Sequence, residues 1–402
     1  AWASGGGAVN LTGDKMALTA AVNATGGTVT LTSATAGDAI DLGSGTDAVA
    51  DTLELSDTEL DLVTAGTLRI GATDAGAITV SAALTPANVS TALSLLSDEG
   101  IGDSTNAGSI TLAGGLRLDV DTAVDLSTGN DVDSLAVAIS GTGTLEFGDT
   151  DGLTVTTVDT TTGVTSNASN ISITAGGDDS VLTVSQAITT GGGADTSSVT
   201  LTADKMTIGA GVTTGTNGIA TLAPESTADA GDAIDLGGAD ATNTLGLTDA
   251  ELDLVTATTL RIGATNAGAI TVSAAVSPGS VTNLSLLSDA GIGDNLNAGS
   301  ITVTNLRLDV DTAVDLSTGN DVDTLAVNVA DASNALTFGD TDGLTVGVVD
   351  GTTGVTTNNA QVDLTGGANG TLTISSALAW GGGAANLTGD KMALTAAVNA
   401  TG

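Results

Sequence analysis

The chain has 402 residues and a net charge of −40, with no Cys or His, no Tyr, and only two Trp and two Phe. This composition excludes an aromatic core, and without His or Cys any catalytic base, nucleophile or metal ligand would have to come from carboxylates, hydroxyls, Lys or Arg. The acidity excludes the electrostatic route to nucleic acid, which needs Lys and Arg against phosphates. The remaining apolar residues are mostly Ala, Val, Leu and Ile, and they lie among 56 glycines and many Thr, Ser, Asn and Asp, a composition typical of strands and turns.

Short runs of alternating apolar and polar residues predict strands along the chain. In order they are TVTLTS (28–33), DTLELS (51–56), TLRIGA (67–72), AITVSA (77–82), SITLAG (109–114), LRLDVD (116–121), GTLEFG (143–148) and LTVTTV (153–158). The best helix candidate is PANVSTALSLLSDEG at 86–100, which also fits a loop followed by a strand. No apolar run approaches the roughly twenty residues that span a bilayer, so we expect no membrane insertion.

The dominant feature of the sequence is internal repetition. LRLDVDTAVDLSTGNDVD occurs at 116–133 and, letter for letter, at 306–323. The stretch at 59–83 returns at 251–275 with two changes, Gly66/Thr258 and Asp74/Asn266. Even rare residues follow the pattern, since every Arg lies in an LR[IL] context and every Lys in DKM. An active site present once is not expected in such a chain, and we predict that the protein is not an enzyme.

The repeat also sets the predicted domain organisation. The segment at 5–26 returns at 381–402 with one change, at an offset close to twice 190 residues. We therefore predict one continuous solenoid over 1–402, with repeat units at about 5–194 and 195–380 and the start of a third copy at 381–402.

The fold class predicted is all-β, an elongated parallel β-helix or β-solenoid. Many short, closely spaced strands fit either a solenoid or tandem β-sandwich domains. Small and medium aliphatic residues suit the narrow core of stacked coils, whereas sandwich domains normally bury several large aromatic side chains. The solenoid is therefore the first prediction, and tandem sandwiches are the alternative.

Several stretches resemble the long repeat regions of filamentous-haemagglutinin-like exoproteins, which are bacterial surface proteins exported by two-partner secretion. They are GLTVGVVDGTTGVTT (343–357), GNDVDTLAV (319–327), AGAITVSAAL (75–84) and LTVSQAITTGGGA (182–194). The resemblance implies a right-handed parallel β-helix, an extracellular or cell-surface location, and a role as an adhesin or matrix fibre.

Aspartates recur at strand ends and in the turns that follow, and carboxylates in a Gly-containing turn are candidate Ca²⁺ ligands. The candidate metal residues are Asp41, Asp47, Asp51, Asp125, Asp131, Asp133, Asp235, Asp240, Asp315, Asp321 and Asp323. The other interpretation is structural, because Asp and Asn favour turns, where they bond to the local backbone and tolerate left-handed conformations. No catalytic residue and no other cofactor is predicted.

The remaining rare residues have structural interpretations as well. The arginines at 69, 117, 261 and 307 are expected to face outward and pair with carboxylates, Arg117 with Asp119 and Arg307 with Asp309. Methionine is expected to fill the core. Trp2 and Trp380 are expected to wedge a coil irregularity, with a sugar-stacking platform as the alternative.

Together these features predict a secreted structural repeat protein that forms the shaft of a bacterial surface fibre or adhesin and self-associates into filaments. A calcium-ordered surface-layer or matrix protein is the alternative, and a module that binds host or matrix glycans is a third hypothesis.

Overall fold

The computed structural model describes residues 2–3, 5–103, 107–191, 196–225, 231–294 and 298–399. Strands account for 57% of it and helix for 2%, and the parallel strands stack into a β-solenoid of about 16 turns. The predicted all-β solenoid is confirmed.

Strands succeed one another at short intervals from end to end of the described chain. Up to residue 190 they are Trp2–Ala3, Val9–Thr12, Val22–Thr32, Ala39–Leu42, Thr52–Leu55, Val63–Gly71, Ile78–Val80, Ala83–Leu84, Val89–Ser97, Ile101–Asp103, Ser109–Val120, Val124–Ile139, Leu145–Asp149, Leu153–Val155, Thr157–Val158, Thr161–Thr162, Val164–Ser166, Ile171–Ala175, Val181–Val184 and Ile188–Thr190. From residue 199 they are Val199–Thr202, Lys205–Ile208, Val212–Thr213, Ile219–Ala223, Ala233–Leu236, Thr244–Leu247, Val255–Gly263, Ile270–Val272, Ala275–Val276, Val281–Ser288, Ile292–Asp294, Ser300–Val310, Val314–Ala332, Leu336–Asp340, Thr345–Val346, Val348–Val349, Thr352–Thr353, Val355–Asn358, Val362–Thr365, Thr371–Ile374, Leu378–Ala379, Ala385–Thr388, Lys391–Leu394 and Val398–Asn399.

The chain divides into two compact units. Unit 1 comprises Ala1–Gly176, Ser180–Val199 and Ile208–Gly211, and unit 2 comprises Gly177–Asp179, Thr200–Thr207 and Val212–Gly402.

Each unit is held together by columns of aliphatic side chains that stack from coil to coil. In unit 1 one column runs through Ile40, Ile78, Ile101, Val124, Leu145 and Ile171. In unit 2 the matching column runs through Ile234, Ile270, Ile292, Val314, Leu336 and Val362. All twelve are at most 2% exposed. Burying such a side chain stabilises the fold by roughly 1.5–3 kcal/mol, so the core needs no aromatic residues.

Period-two alternation fixes which side chains face outward. In Val63–Gly71, Leu68 and Ile70 are fully buried, and Arg69 between them faces outward. The same alternation shows that the helix candidate at 86–100 is wrong. Its central part is the strand Val89–Ser97, because Leu93 and Leu95 both face the core at a spacing of two residues, not three or four.

The alternative of tandem β-sandwiches is also wrong. Among the described strands, antiparallel pairing is confined to two short hairpins and one isolated bridge, whereas the strands of the coils pair in parallel. A sandwich of antiparallel strands does not produce this pattern.

The helices found in the described residues are single turns, Asp57–Leu60 and Asp249–Leu252. Each begins with a reciprocal capping box, in which Ser56 or Thr248 and the Glu three residues later bond to each other's backbone N–H. Within the described residues, no helix is long and apolar enough to cross a membrane.

Candidate functional site: arginine clamps, buried corner carboxylates and grooves

A short hairpin in unit 1 leaves the coil and lies on the outer face of earlier coils. Its strands are Thr157–Val158 and Thr161–Thr162. Val158 is buried and packs against Ala92 and Ala136, while Asp159 at the tip has a positive φ of 51°. Asp tolerates this left-handed conformation better than most residues, which suits it to the tip.

Asp159 gathers donors from three successive coils. Arg69 donates from Nε to Oδ2 at 2.8 Å and from Nη2 to Oδ1 at 2.7 Å. Ser94 Oγ donates to Oδ2 at 3.0 Å, and Arg117 Nη1 lies 3.5 Å from that oxygen. These three donors stand opposite one another in neighbouring strands. The hydrogen bond from Arg69 holds the pKa of Asp159 below its usual value and raises the pKa of Arg69.

Arg117 completes the clamp. Its Nε donates to Thr161 Oγ1 on the hairpin at 2.7 Å, and its Nη2 pairs with Asp119. The predicted pair of Arg117 with Asp119 is confirmed, whereas Asp159 was not predicted, because it lies 90 residues from Arg69 along the chain.

Unit 2 repeats the clamp around Asp350. Arg261 makes the same two hydrogen bonds at 2.8 and 2.7 Å, Ser285 donates at 2.7 Å, and Arg307 lies 3.3 Å away. Burial acts to raise the pKa of Asp350, but hydrogen bonds from Arg261 and Ser285 outweigh it, and the pKa is lowered. Arg307 also pairs with Asp309, as predicted.

The surface beneath the hairpin differs between the units. In unit 1 a Cβ on Gly115 would lie 2.7 Å from Val158, so only glycine leaves room for that side chain. Unit 2 has Asn305 at the matching position, and its Nδ2 donates to Asn283 Oδ1 at 2.8 Å. Matching positions are therefore occupied by a glycine in unit 1 and by a member of an amide ladder in unit 2.

Buried carboxylates occupy one corner of each unit. Asp149 is 4% exposed and accepts hydrogen bonds from the backbone N–H groups of Val132 and Asp151. Burial raises the pKa of Asp149 to about 7. In unit 2, Asp340 accepts from Val322 and Asp342, and burial raises its pKa to about 6.

An asparagine completes each of these corners. Asn130 stands opposite Asp149 and is fully buried. Its amide donates to the carbonyl groups of Leu126 and Gly148 and accepts from Ile110 N–H, and Asn320 does the same in unit 2. The recurrence of FGDTDG in both repeats was the available signal for these corners, but it does not show which Asp is buried.

The predicted metal residues are dispersed. Asp41 accepts a hydrogen bond from Ser81, whereas Asp47 and Asp51 are turn residues with φ of 48° and 55°. Asp235 and Asp240 both lie beside Gly246. Six others are exposed on the outer face of two strands: Asp125, Asp131, Asp133, Asp315, Asp321 and Asp323. Among the described residues, no group of three or more acidic side chains is arranged to hold a metal ion. Calcium binding stays a prediction.

The rare residues are placed as follows. Met206 is 1% exposed, which confirms its predicted core position, whereas Met392 is 47% exposed. Trp380 is 9% exposed, and its indole Nε1 donates to the Gly383 carbonyl at 2.7 Å. A buried ring in this position fits a wedge and leaves no face for sugar stacking. The side chain of Trp2 lies outside the described residues.

A groove occurs at the same place in both units, where a Pro-containing turn rises beside the outer face of the coils. In unit 2 it has a volume of about 340 Å³ and is lined by Pro278, Val303, Asp321 and Asp323 among others. In unit 1 it measures about 230 Å³ and is lined by Pro86, Leu112 and neighbouring residues.

The clamps and corners pair charged and polar groups of the chain with one another. This chemistry fastens coils together. No protein-family model, curated protein or solved structure matches this chain.

Proposed function

We propose that the chain is a structural element, the shaft of a bacterial cell-surface fibre or adhesin, secreted and extracellular. The observation that carries the proposal is that the charged clusters serve the coil stack itself. Both arginine clamps tie three successive coils to a hairpin from a later coil. Such ties suit a protein whose task is to keep its shape under load.

Self-association is part of this proposal. A terminal coil of a parallel solenoid presents unpaired backbone N–H and C=O groups, which can pair with a further coil from another copy. The exterior is strongly acidic, so copies should repel at low salt and approach when salt screens them or divalent cations bridge them.

Electron microscopy of the purified protein, with calcium and with chelator, tests the proposal. A shaft should appear as a continuous rod with an axial repeat near ~4.8 Å in both conditions. Rods or lattices that form only with calcium would instead support the alternative, a calcium-ordered surface-layer or matrix protein. Separate beads would contradict the shaft.

A further inference from the structure

Each clamp hairpin is an insertion into a coil. The hairpin of unit 1 occupies 157–162. The chain leaves its coil after Val155, which pairs with Leu135, and returns at Val164, which pairs with Val137. Among the described strands, those of the hairpin pair only with each other, as a separate two-stranded sheet. The hairpin can therefore separate from the outer face as a unit while its coil keeps its own hydrogen bonds.

The hairpin of unit 1 reaches back across four coils. Strand pairing leads from the coil that carries the hairpin, one coil at a time, to the strand of Arg69; the strands passed are Val124–Ile139, Ser109–Val120, Val89–Ser97 and Val63–Gly71. At ~4.8 Å a coil, Asp159 is bonded to a side chain whose strand lies roughly 19 Å from the coil of Asp159 along the stack. In a solenoid, stacking alone joins each coil only to its neighbours. The clamp thus couples coils that stacking does not.

The contact with the most distant coil is of a strong kind. Arg69 meets both carboxylate oxygens of Asp159 in a bidentate ion pair, and such charge-assisted pairs are stronger than neutral hydrogen bonds. The Asp159 side chain is 9% exposed, so water screens it weakly. Nearer coils add the hydroxyl of Ser94 and the guanidinium of Arg117. Separating the coil of Arg69 from the stack therefore requires these contacts to break first.

We propose that each hairpin is a strap that makes five coils detach together when the stack is pulled along its axis. Without a strap, tension removes coils from an end one at a time, because each is held only by its neighbour. With the strap, the coil of Arg69 stays until the contacts of Asp159 break. The force needed for that step exceeds the force that holds the coils behind it, so they detach at once. This response to load does not depend on the location or the partners in the proposed function.

Unit 2 contains a second strap, at 348–353, built in the same way. The chain leaves its coil after Val346 and returns to it at Val355, so this hairpin is an insertion as well. Its Asp350 binds Arg261, which again lies on a strand four coils back. Two separate blocks of coils are therefore expected, one in each unit.

Optical tweezers that pull the full chain by its two ends test the proposal. The native chain should show two long extension events, one for residues 63–166 and one for 255–358, each releasing roughly 100 residues or ~35 nm of chain. Asp159→Asn removes the charge of the first strap, and Asn tolerates the left-handed conformation of that position. It should replace the first long event with steps of single coils, roughly 25 residues or ~9 nm each, and leave the second unchanged. Asp350→Asn should do the reverse.

Asp119→Asn is the matched control. It removes the same charge and also a pair with Arg117, but that pair lies within one strand and joins no coils. Both long events should persist in this variant. Ser94→Ala keeps every charge and removes one hydroxyl from the clamp, so it should lower the force of the first long event without shortening it.

Three outcomes of these measurements would overturn the proposal. They are extension of the native chain by single coils, a first long event that survives in Asp159→Asn, and loss of that event in Asp119→Asn as well. The force in Ser94→Ala decides the question even if Asp159→Asn does not fold. An unchanged force there would show that the contacts of Asp159 do not hold the block together.

Discussion

The strands Ala39–Leu42 and Ala233–Leu236 have the same sequence, and a carboxylate fastens the loop that follows each of them. In unit 1 this carboxylate lies on the strand after the loop. Glu54 is 1% exposed, and its carboxylate accepts from Ser44, from Thr46 at 2.8 Å and from the Val49 N–H at 3.0 Å, all in the loop.

In unit 2 the carboxylate lies on the loop, and a backbone N–H of the following strand donates the hydrogen bond. Asp240 Oδ1 accepts from the N–H of Gly246, the residue that matches Glu54, at 2.9 Å. A Cβ on Gly246 would lie 2.0 Å from the Ala239 carbonyl carbon, so the loop backbone occupies the space that a side chain at position 246 would need. In both units a carboxylate accepts hydrogen bonds that join the loop to the strand after it, because buried polar groups need partners. The carboxylate can lie on the strand, as in unit 1, or on the loop, as in unit 2.

Gly246→Glu, which places the unit 1 residue in unit 2, should have the largest effect. The new Cβ collides with backbone, and a carboxylate is buried without the donors of the longer loop, so the cost should be roughly 4 kcal/mol or more. Urea unfolding and hydrogen exchange of residues 237–247 measure it. The reciprocal change, Glu54→Gly, should loosen the 43–51 loop without a collision. Equal, small effects of both changes would mean that the loops are interchangeable.

The buried corner carboxylates should make stability fall as pH rises. Their folded pKa values, about 7 for Asp149 and about 6 for Asp340, lie above the ordinary 3.8, so their contribution is complete below pH 3.8 and lost as pH rises through those values. The loss should reach roughly 4 kcal/mol at most for Asp149 and roughly 3 kcal/mol for Asp340. Urea midpoints from pH 4 to pH 8 should therefore decline.

The double variant D149N/D340N is the control for that decline. Asparagine does not titrate, so the slope between pH 4 and pH 8 should largely disappear, whatever the variant's stability at one pH. A slope that persists unchanged would place the titrating groups elsewhere.

Gly115→Asn tests the difference beneath the two hairpins. The new side chain meets Val158, so unit 1 should lose roughly 1–3 kcal/mol, and the hairpin should exchange its amide hydrogens faster. Asn305→Gly in unit 2 removes a rung of the amide ladder and creates no collision, so its cost should be smaller. Hydrogen exchange at Thr157–Thr162 and Val348–Thr353 compares them directly. A larger effect from Asn305→Gly than from Gly115→Asn would contradict the expectation that the collision with Val158 costs more than the lost amide hydrogen bond.

The smallest effect expected is a difference in titration between the two loop carboxylates. Hydrogen bonds, first of all from Ser44, lower the pKa of Glu54 to about 2, whereas burial raises the pKa of Asp240 above 3.8. The stabilisation from Glu54 is present above pH 4.5 and is lost as pH falls through about 2, while that from Asp240 is lost as pH rises. Carboxyl ¹³C shifts measure both groups. A midpoint for Glu54 near 4.5 would show that the loop is not anchored there.

Much of the fold was readable from residue patterns. Alternation located the strands around Leu68, Leu118 and Phe147, and the lack of aromatic residues favoured stacked coils over sandwiches. The pattern failed at 86–100, where apolar residues cluster closely enough to suit either a helix or a strand. Burial of Leu93 and Leu95, which lie two residues apart on one face and stack on Leu68 and Ile70, decided for the strand. The pairs Arg117–Asp119 and Arg307–Asp309 were predictable because i and i+2 share a strand face.

The functional clusters depended on tertiary structure for two physical reasons. Contacts between coils join residues such as Arg69 and Asp159, and the length of every intervening coil determines whether they meet. A local bulge also changes which residues meet: between Leu112 and Gly115, two residues of one strand lie opposite a single residue of the next, whereas the matching strand of unit 2 has no such bulge. Composition and alternation, which are local, therefore specify a repetitive all-β chain with an aliphatic core. The stacking of coils decides which of its many aspartates clamp a hairpin, which are buried in a corner, and which remain on the surface.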